Sequence, residues 1–254
     1  MLSKNQIKYI NSLKIKKYRQ QHGAFVVEGA KSVLELLASD YTVEFVVATD
    51  DFLQNYGSIP SRPTVDWILA TPADMDRLGT FQSNDACLAV AKTKENAFLC
   101  ADPGKYALML DDIRDPGNLG TILRIADWYG IPKIICSENT TDFYNPKVIA
   151  ASKGSFTRVR AHYTSLPDFI EGYLTQHALI GAFLDGESLY DFSFPQAGGY
   201  LVMGNESQGI GPEVGTRITH RITIPRFGEA ESLNVGIATA VICDGWRRGL
   251  GILK

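Results

Sequence analysis

Between residues 200 and 235, two apolar runs each end in a loop rich in glycine and polar side chains. The first, Tyr200-Leu201-Val202-Met203, leads into Gly204-Asn205-Glu206-Ser207-Gln208-Gly209-Ile210-Gly211. The second, Ile222-Thr223-Ile224, leads into Pro225 and a loop that closes at Ser232-Leu233-Asn234-Val235. Short apolar runs bounded by such loops read as buried strands that feed helices. A chain built this way makes a sheet with helices packed on it. In open α/β sheets ligands sit at the strand ends, where backbone N–H groups and helix N-termini point outward.

The same alternation runs through the rest of the chain. Residues 3–20 read as a helix with Ser3 as N-cap and apolar positions at Ile7, Ile10 and Tyr18. Strands are expected at 24–27, 43–48, 65–69 and 87–91, with a helix over 31–38 and another opened by Thr71-Pro72. Residues 1–94 therefore read as a compact α/β module, and the polar stretch 95–105, with Pro103 and Gly104, as a linker. In the second domain, 106–254, strands are expected at 106–110, 133–136, 157–160 and 178–183. Helices are expected at 121–129, 145–151, 166–177 and 235–248. Strands alternating with helices imply a largely parallel sheet.

Composition excludes several classes. No apolar run approaches a membrane span, and MLSKNQIKYI lacks the apolar core of a signal peptide. Cys87, Cys100, Cys136 and Cys243 are scattered without a Cys-x-x-Cys pair, which suits reduced, mostly buried thiols in the cytoplasm. His22, His162, His177 and His220 are equally dispersed, so no metal site is expected. The net charge of −3 does not suit a protein that coats nucleic acid indiscriminately. Yet Lys4, Lys8, Lys14, Lys16, Lys17 and Arg19 all precede the first acidic residue, Glu28. Taken alone, this basic cluster is a solvated helix face; with a polyanion as partner, it is the edge that meets it.

Set side by side, Gly204-x-Glu206-x-x-Gly209, then Ile224-Pro225 and Ser232-Leu233-Asn234-Val235, resemble motifs 2 and 3 of the SpoU (TrmH-like) branch of the SPOUT RNA methyltransferases. The family's first motif, an Asn followed six residues later by an Arg, is matched by Asn118 and Arg124. The resemblance covers residues 107–248 firmly. Over 3–92 it is looser: the basic helix followed by Gly23-x-Phe25-x-x-Glu28-Gly29 is similar to the substrate-binding domain of many SpoU enzymes. It implies a trefoil-knotted SPOUT catalytic domain preceded by a small α/β/α RNA-holding domain. It also implies a homodimer paired through helices beside the knot, built around residues 235–248, in which each active site borrows groups from the partner.

The resemblance further implies S-adenosylmethionine as methyl donor, contacted at Gly204, Ile224 and Leu233, and a ribose 2′-hydroxyl of RNA as acceptor. Ribosomal RNA is the first expectation and transfer RNA the second. The residues fit such a pocket: Gly204 permits close backbone approach, and Ile224 and Leu233 offer an apolar bed, although singly each would pass for a core residue. Arg124 is the family's essential arginine. A guanidinium stays protonated at any ordinary pH, so Arg124 is expected to grip the neighbouring phosphate and polarise the 2′-oxygen. Asn118 either caps its helix, bonds the catalytic groups, or does both. Glu206 is expected to accept a hydrogen bond from Arg124 or Asn234. Ser232 and Asn234 sit where a helix is capped, and by resemblance Asn234 reaches the active site. Asp111 and Asp112 need no metal or acid–base role.

Three positions depart from the family: Ser207 where Gly is commoner, Arg226 where Met is usual, and Gly236 where Ser is frequent. Arg226 would add a phosphate contact. Two rival readings stand beside the enzyme. One is an RNA-binding protein that kept the fold and lost turnover, against which Asn118, Arg124, Glu206, Ser232 and Asn234 all stand. The other is a nucleotide-dependent metabolic enzyme, disfavoured because no Gly-x-Gly-x-x-Gly follows the first strand of either domain.

Overall fold

The computed structural model describes residues 2–55, 65–80, 86–174 and 176–249. The chain folds as two compact units: one is Met1–Glu95 with Asp142–Arg158, the other Asn96–Thr141 with Val159–Lys254. Among the described residues no helix is long and apolar enough to cross a membrane.

The first unit opens with helix α1 (Lys4–Ser12), where Ser3 and Gln6 form a reciprocal capping box. The single helix expected over 3–20 is broken. Its chain turns at 13–15 and restarts as α2 (Lys16–His22). The reason is tertiary: Leu13 is buried, and the Arg19 guanidinium donates to the carbonyls of Leu13 and Lys14, both at 3.0 Å. Those bonds replace the ones a continuous helix would supply. Gly23, at φ +57°, ends α2 and turns the chain into β1 (Ala24–Glu28). Next come α3 (Ala30–Leu37), β2 (Val43–Ala48), α4 (Asp50–Asn55), β3 (Asp66–Leu69), α5 (Pro72–Leu78) and β4 (Cys87–Lys92). The sheet order is β1-β4-β2-β3, antiparallel except for β2 with β3. Ile10, Leu13, Val26, Met75, Leu78 and Leu88 meet in its core.

The second unit carries β5 (Tyr106–Leu110), α6 (Pro116–Trp128), β6 (Lys133–Ser137), β7 (Arg160–Thr164), α8 (Leu166–Tyr173), β8 (Ala178–Ser188), β9 (Gly199–Met203), α9 (Pro212–Gly215), β10 (His220–Thr223) and α10 (Val235–Gly249). Its strands form a six-stranded, wholly parallel sheet in the order β10-β8-β9-β5-β6-β7. Every residue of β5 and β9 is buried, as central parallel strands covered on both faces require.

Four local readings change. The helix expected at 145–151 is present as α7 (Pro146–Ser152) but belongs to the first unit, where Phe156, just beyond it, meets Phe25 and Tyr41. The strand expected at 157–160 begins at Arg160, because Ser155–Thr157 makes a 3-10 turn. α6 starts at Pro116 rather than 121, because Asp115 caps it. The helix expected over 166–177 ends at Tyr173; Thr175 lies outside the described residues.

Candidate active site

The C-terminal ends of three neighbouring strands build the site. β9 ends at Met203 and the chain turns back on itself: Asn205 N–H donates to the Gly209 carbonyl and Gly209 N–H to that of Asn205, each at 2.9 Å. A Cβ on Gly204 would lie 2.1 Å from the Gly209 carbonyl carbon, so the close approach this glycine permits is to the loop's own return. The Asn205 amide oxygen accepts from Ser207 N–H (2.9 Å) and Oγ (2.8 Å), and its Nδ2 donates to the Asp112 carbonyl (2.8 Å). Asp111 Oδ2 accepts from Gly211 N–H at 2.8 Å. Burial pushes the Asp111 carboxyl above its ordinary pKa; the Gly211 N–H opposes the rise, and Asp112 and Glu213 add to it. Both aspartates thus tie the loop after β9 to the end of β5.

β10 ends at Thr223 and leads through Ile224 and Pro225 to α10. Asn234 caps α10: its Oδ1 accepts from Gly236 N–H at 2.9 Å. Its Nδ2 donates to Asn118 Oδ1 at 2.9 Å, and Asn118 Nδ2 donates in turn to Glu206 Oε1 at 2.5 Å. One amide therefore joins the starts of two helices to the carboxylate of the Gly204 loop. Asn118 does not cap α6; its backbone N–H is itself capped by Asp115 Oδ1 at 2.8 Å. Glu206 accepts from Asn118, not from Arg124 or Asn234, because a helix begun at Pro116 puts Asn118 on the side facing the loop.

These loops enclose an open cavity of about 870 Å³. Gly204, Glu206, Ile224, Ser232 and Leu233 line it. Arg124 does not. It lies exposed on α6, six residues and so about 240° of helical turn beyond Asn118. A third wall went unread in the sequence. β8 pairs Gly181 with Arg221 and then Glu187 with Ile222, so residues 182–186 leave the ladder, and Phe183, Leu184 and Asp185 line the cavity. The signal was Asp185-Gly186, a turn pair inside an apolar run. Asp185, Glu206, Glu231 and Arg226 line the cavity, and Asp185 Oδ1 accepts from Arg221 Nη2 at 2.6 Å, which pairs its charge. Among the described residues no three His, Cys, Asp or Glu side chains gather as metal ligands.

Residues 105–244 match the model of the SpoU rRNA Methylase family. The chain belongs to that family. Residues 4–89 match the MRM3-like substrate binding domain, so both parts of this SpoU methylase have counterparts. It is 29% identical over 252 residues to the Bacillus subtilis 23S rRNA (guanosine(2553)-2′-O)-methyltransferase RlmP, covering 94% of this chain and 95% of that one. Identity to the Streptomyces viridochromogenes 23S rRNA (uridine(2479)-2′-O)-methyltransferase is 28%, over 87% of this chain and 73% of that one. A TrmH-family protein from Porphyromonas gingivalis superposes with a TM-score of 0.87 at 38% identity, covering 98% and 99% of the two chains. An AdoMet-bound rRNA methyltransferase from Sinorhizobium meliloti shares the fold at a TM-score of 0.87 and 24% identity, over 100% of this chain and 97% of that one.

Proposed function

We propose that this SpoU methylase transfers a methyl group from S-adenosylmethionine to a ribose 2′-hydroxyl of ribosomal RNA. The charge of the cavity carries the reading. Glu206 and Glu231 against Arg226, with Asp185 already paired to Arg221, leave a small acidic excess that suits a small molecule bearing a sulfonium and an ammonium. The match of residues 105–244 to the SpoU family disfavours the dinucleotide-dependent rival. The volume lies in the range of small-molecule sites. Ile224 and Leu233 supply apolar surface for a purine, and the main chain at Gly204 supplies hydrogen-bonding groups. When bound, S-adenosylmethionine supplies an electrophilic methyl group with a neutral leaving group, so the protein's task is orientation and proton removal.

Asn118 holds the Glu206 carboxylate and the α10 start in one geometry, which pre-sets the cavity wall. Ser232 faces the cavity from the loop before Asn234. Arg124 serves the pocket of a second copy in a homodimer, gripping the phosphate beside the target ribose and polarising its 2′-oxygen. Support for the dimer is the strip that Arg124 shares with Trp128, one helical turn on and 82% exposed, together with exposed Ile237 (53%) in the first turn of α10, which packs on α6. The resemblance to SPOUT proteins supports a trefoil knot in the second unit, and the unpaired cysteines support a cytoplasmic setting.

Calorimetric titration of S-adenosylmethionine tests the reading, with Leu233→Arg as control. Binding by the wild type that the control loses is expected, together with 2′-O-methylation of ribosomal RNA. Arg124→Ala should keep donor binding and lower turnover by about 10²–10³-fold, the scale of losing one transition-state donor. A folded wild type that binds no donor would overturn the enzyme reading in favour of a non-catalytic RNA-binding protein; methylation of transfer RNA alone would replace the substrate.

A further inference from the structure

Helix α2 breaks the usual rule for a helix packed on a sheet. It buries no apolar side chain; the one buried residue in Lys16–His22 is Arg19, 3% exposed. A surface helix ordinarily buries an apolar stripe and turns its polar face to water. Here Lys16, Lys17, Tyr18, Gln20 and Gln21 all face solvent, as does Ile15 just before them. Ile15 is 55% exposed and Tyr18 37%. Among the described residues Lys16 and Lys17 have no carboxylate partner and Tyr18 no ring partner.

This exposed helix is nevertheless held in place. Arg19 donates to the carbonyls of Leu13 and Lys14 and, through Nε at 3.0 Å and Nη2 at 2.5 Å, to Asp142 Oδ2. Lys14 Nζ reaches the Gly79 carbonyl at 3.1 Å. Burying a guanidinium is costly even when it is paired, and an apolar residue would pack α2 at less expense in desolvation. What the clamp fixes is the shape of the turn that displays Ile15, Lys16 and Lys17.

We propose that the α1–α2 turn and α2 form the docking site for unpaired nucleotides of the RNA substrate; this rests on the RNA-methylating function above. Two unpaired ammonium groups suit phosphates. An exposed tyrosine ring beside them suits a splayed base, and Gln20 and Gln21 offer donors and acceptors to base edges. No acidic residue occurs before Glu28 to oppose the charge. The surface is too small and too polar for membrane insertion, with Ile15 and Tyr18 its exposed large hydrophobic residues.

The test uses the full chain and a fluorescently labelled single-stranded uridine 20-mer, read by anisotropy across a salt series. Lys16→Ala/Lys17→Ala should weaken binding at least tenfold at low salt and flatten the slope of log K against log salt by about 1.4, two phosphate contacts' worth. Tyr18→Ala should weaken it about fivefold or more. Lys31→Ala/Lys147→Ala removes the same charge from exposed positions outside the basic stretch before Glu28 and should stay within twofold. Equal losses from both lysine pairs, a Tyr18→Ala effect under twofold, or binding to anionic phosphatidylserine vesicles but not to the 20-mer would overturn the site. S-adenosylmethionine titrations on the same samples separate the two failures: loss of donor binding by the wild type sinks the methyltransferase, whereas intact donor binding with equal lysine effects sinks only this surface.

Discussion

Gly204→Ala probes the cavity without touching any group that would contact a ligand through a side chain. The added Cβ would stand 2.1 Å from the Gly209 carbonyl carbon, 2.2 Å from the Ile210 nitrogen and 2.3 Å from the Gly209 oxygen. All three atoms are backbone, so no rotamer change relieves the overlap, and the two arms of the loop must part by more than about 1 Å to reach ordinary contact. Parting breaks the reciprocal Asn205–Gly209 hydrogen bonds, worth about 1 kcal/mol each. Overpacking strain adds about 1–3 kcal/mol. The sum, roughly 3–5 kcal/mol, lies at or below the low end of ordinary domain stability, so most of the variant should still fold. Its melting temperature should fall by about 6–20 °C at roughly 2–4 °C per kcal/mol. Glu206 moves with the loop and its bond to Asn118 is lost, so donor affinity by calorimetry should drop at least tenfold. A variant that melts within 2 °C of wild type and binds the donor within twofold would refute the argument.

Asp142→Ala leaves the Arg19 guanidinium buried without its carboxylate, and should cost about 3 kcal/mol, the low end for a broken buried pair because two carbonyls remain; Arg19→Met with Asp142→Leu should recover much of it in urea melts. Burial pushes the Cys87, Cys136 and Cys243 thiols up to about 12 from an ordinary value near 9. Their contribution is therefore complete below about pH 9 and lost as pH rises toward 12, by about 1.4 kcal/mol per thiol per pH unit. Urea midpoints at pH 8 and 10.5 should fall less in a variant with all three changed to alanine, and an unchanged slope would remove the thiols from the account. Trp128→Glu should convert the proposed homodimer to monomer in sedimentation; a wild type that sediments as a monomer would end that reading.

The central strands were legible because burial on both faces leaves a continuous apolar signature, which residues 106–110 and 200–203 carry. The cavity's glycine loop and closing turn were legible through the motifs. What stayed hidden depended on partners far away in sequence. The break between α1 and α2 follows from a guanidinium bound to Asp142, 123 residues later, and no local propensity at 13–15 announces it. Residues 142–158 carry ordinary helix signals that say nothing about which core receives them. Glu206's partner depended on where α6 begins, and Asp115, rather than Asn118, decides that.

The net charge of −3 conceals two opposite fields that do different work. Before Glu28 the chain carries cations alone among its charged side chains, and their attraction for a polyanion rests on counterion release. The cavity of the second unit is lined by Glu206 and Glu231 against Arg226, with Asp185 paired to Arg221, a small acidic excess that attracts a small cation. Separating the charges also separates the responses to salt. Rising ionic strength should weaken RNA capture steeply, whereas a small cation held at close range inside a walled cavity is screened far less. Turnover should therefore fall with salt through the apparent affinity for RNA, with donor affinity nearly constant. A donor affinity that fell in parallel with RNA affinity would mean that the cavity's carboxylates act as a diffuse surface field, and the charge argument for its ligand would fail.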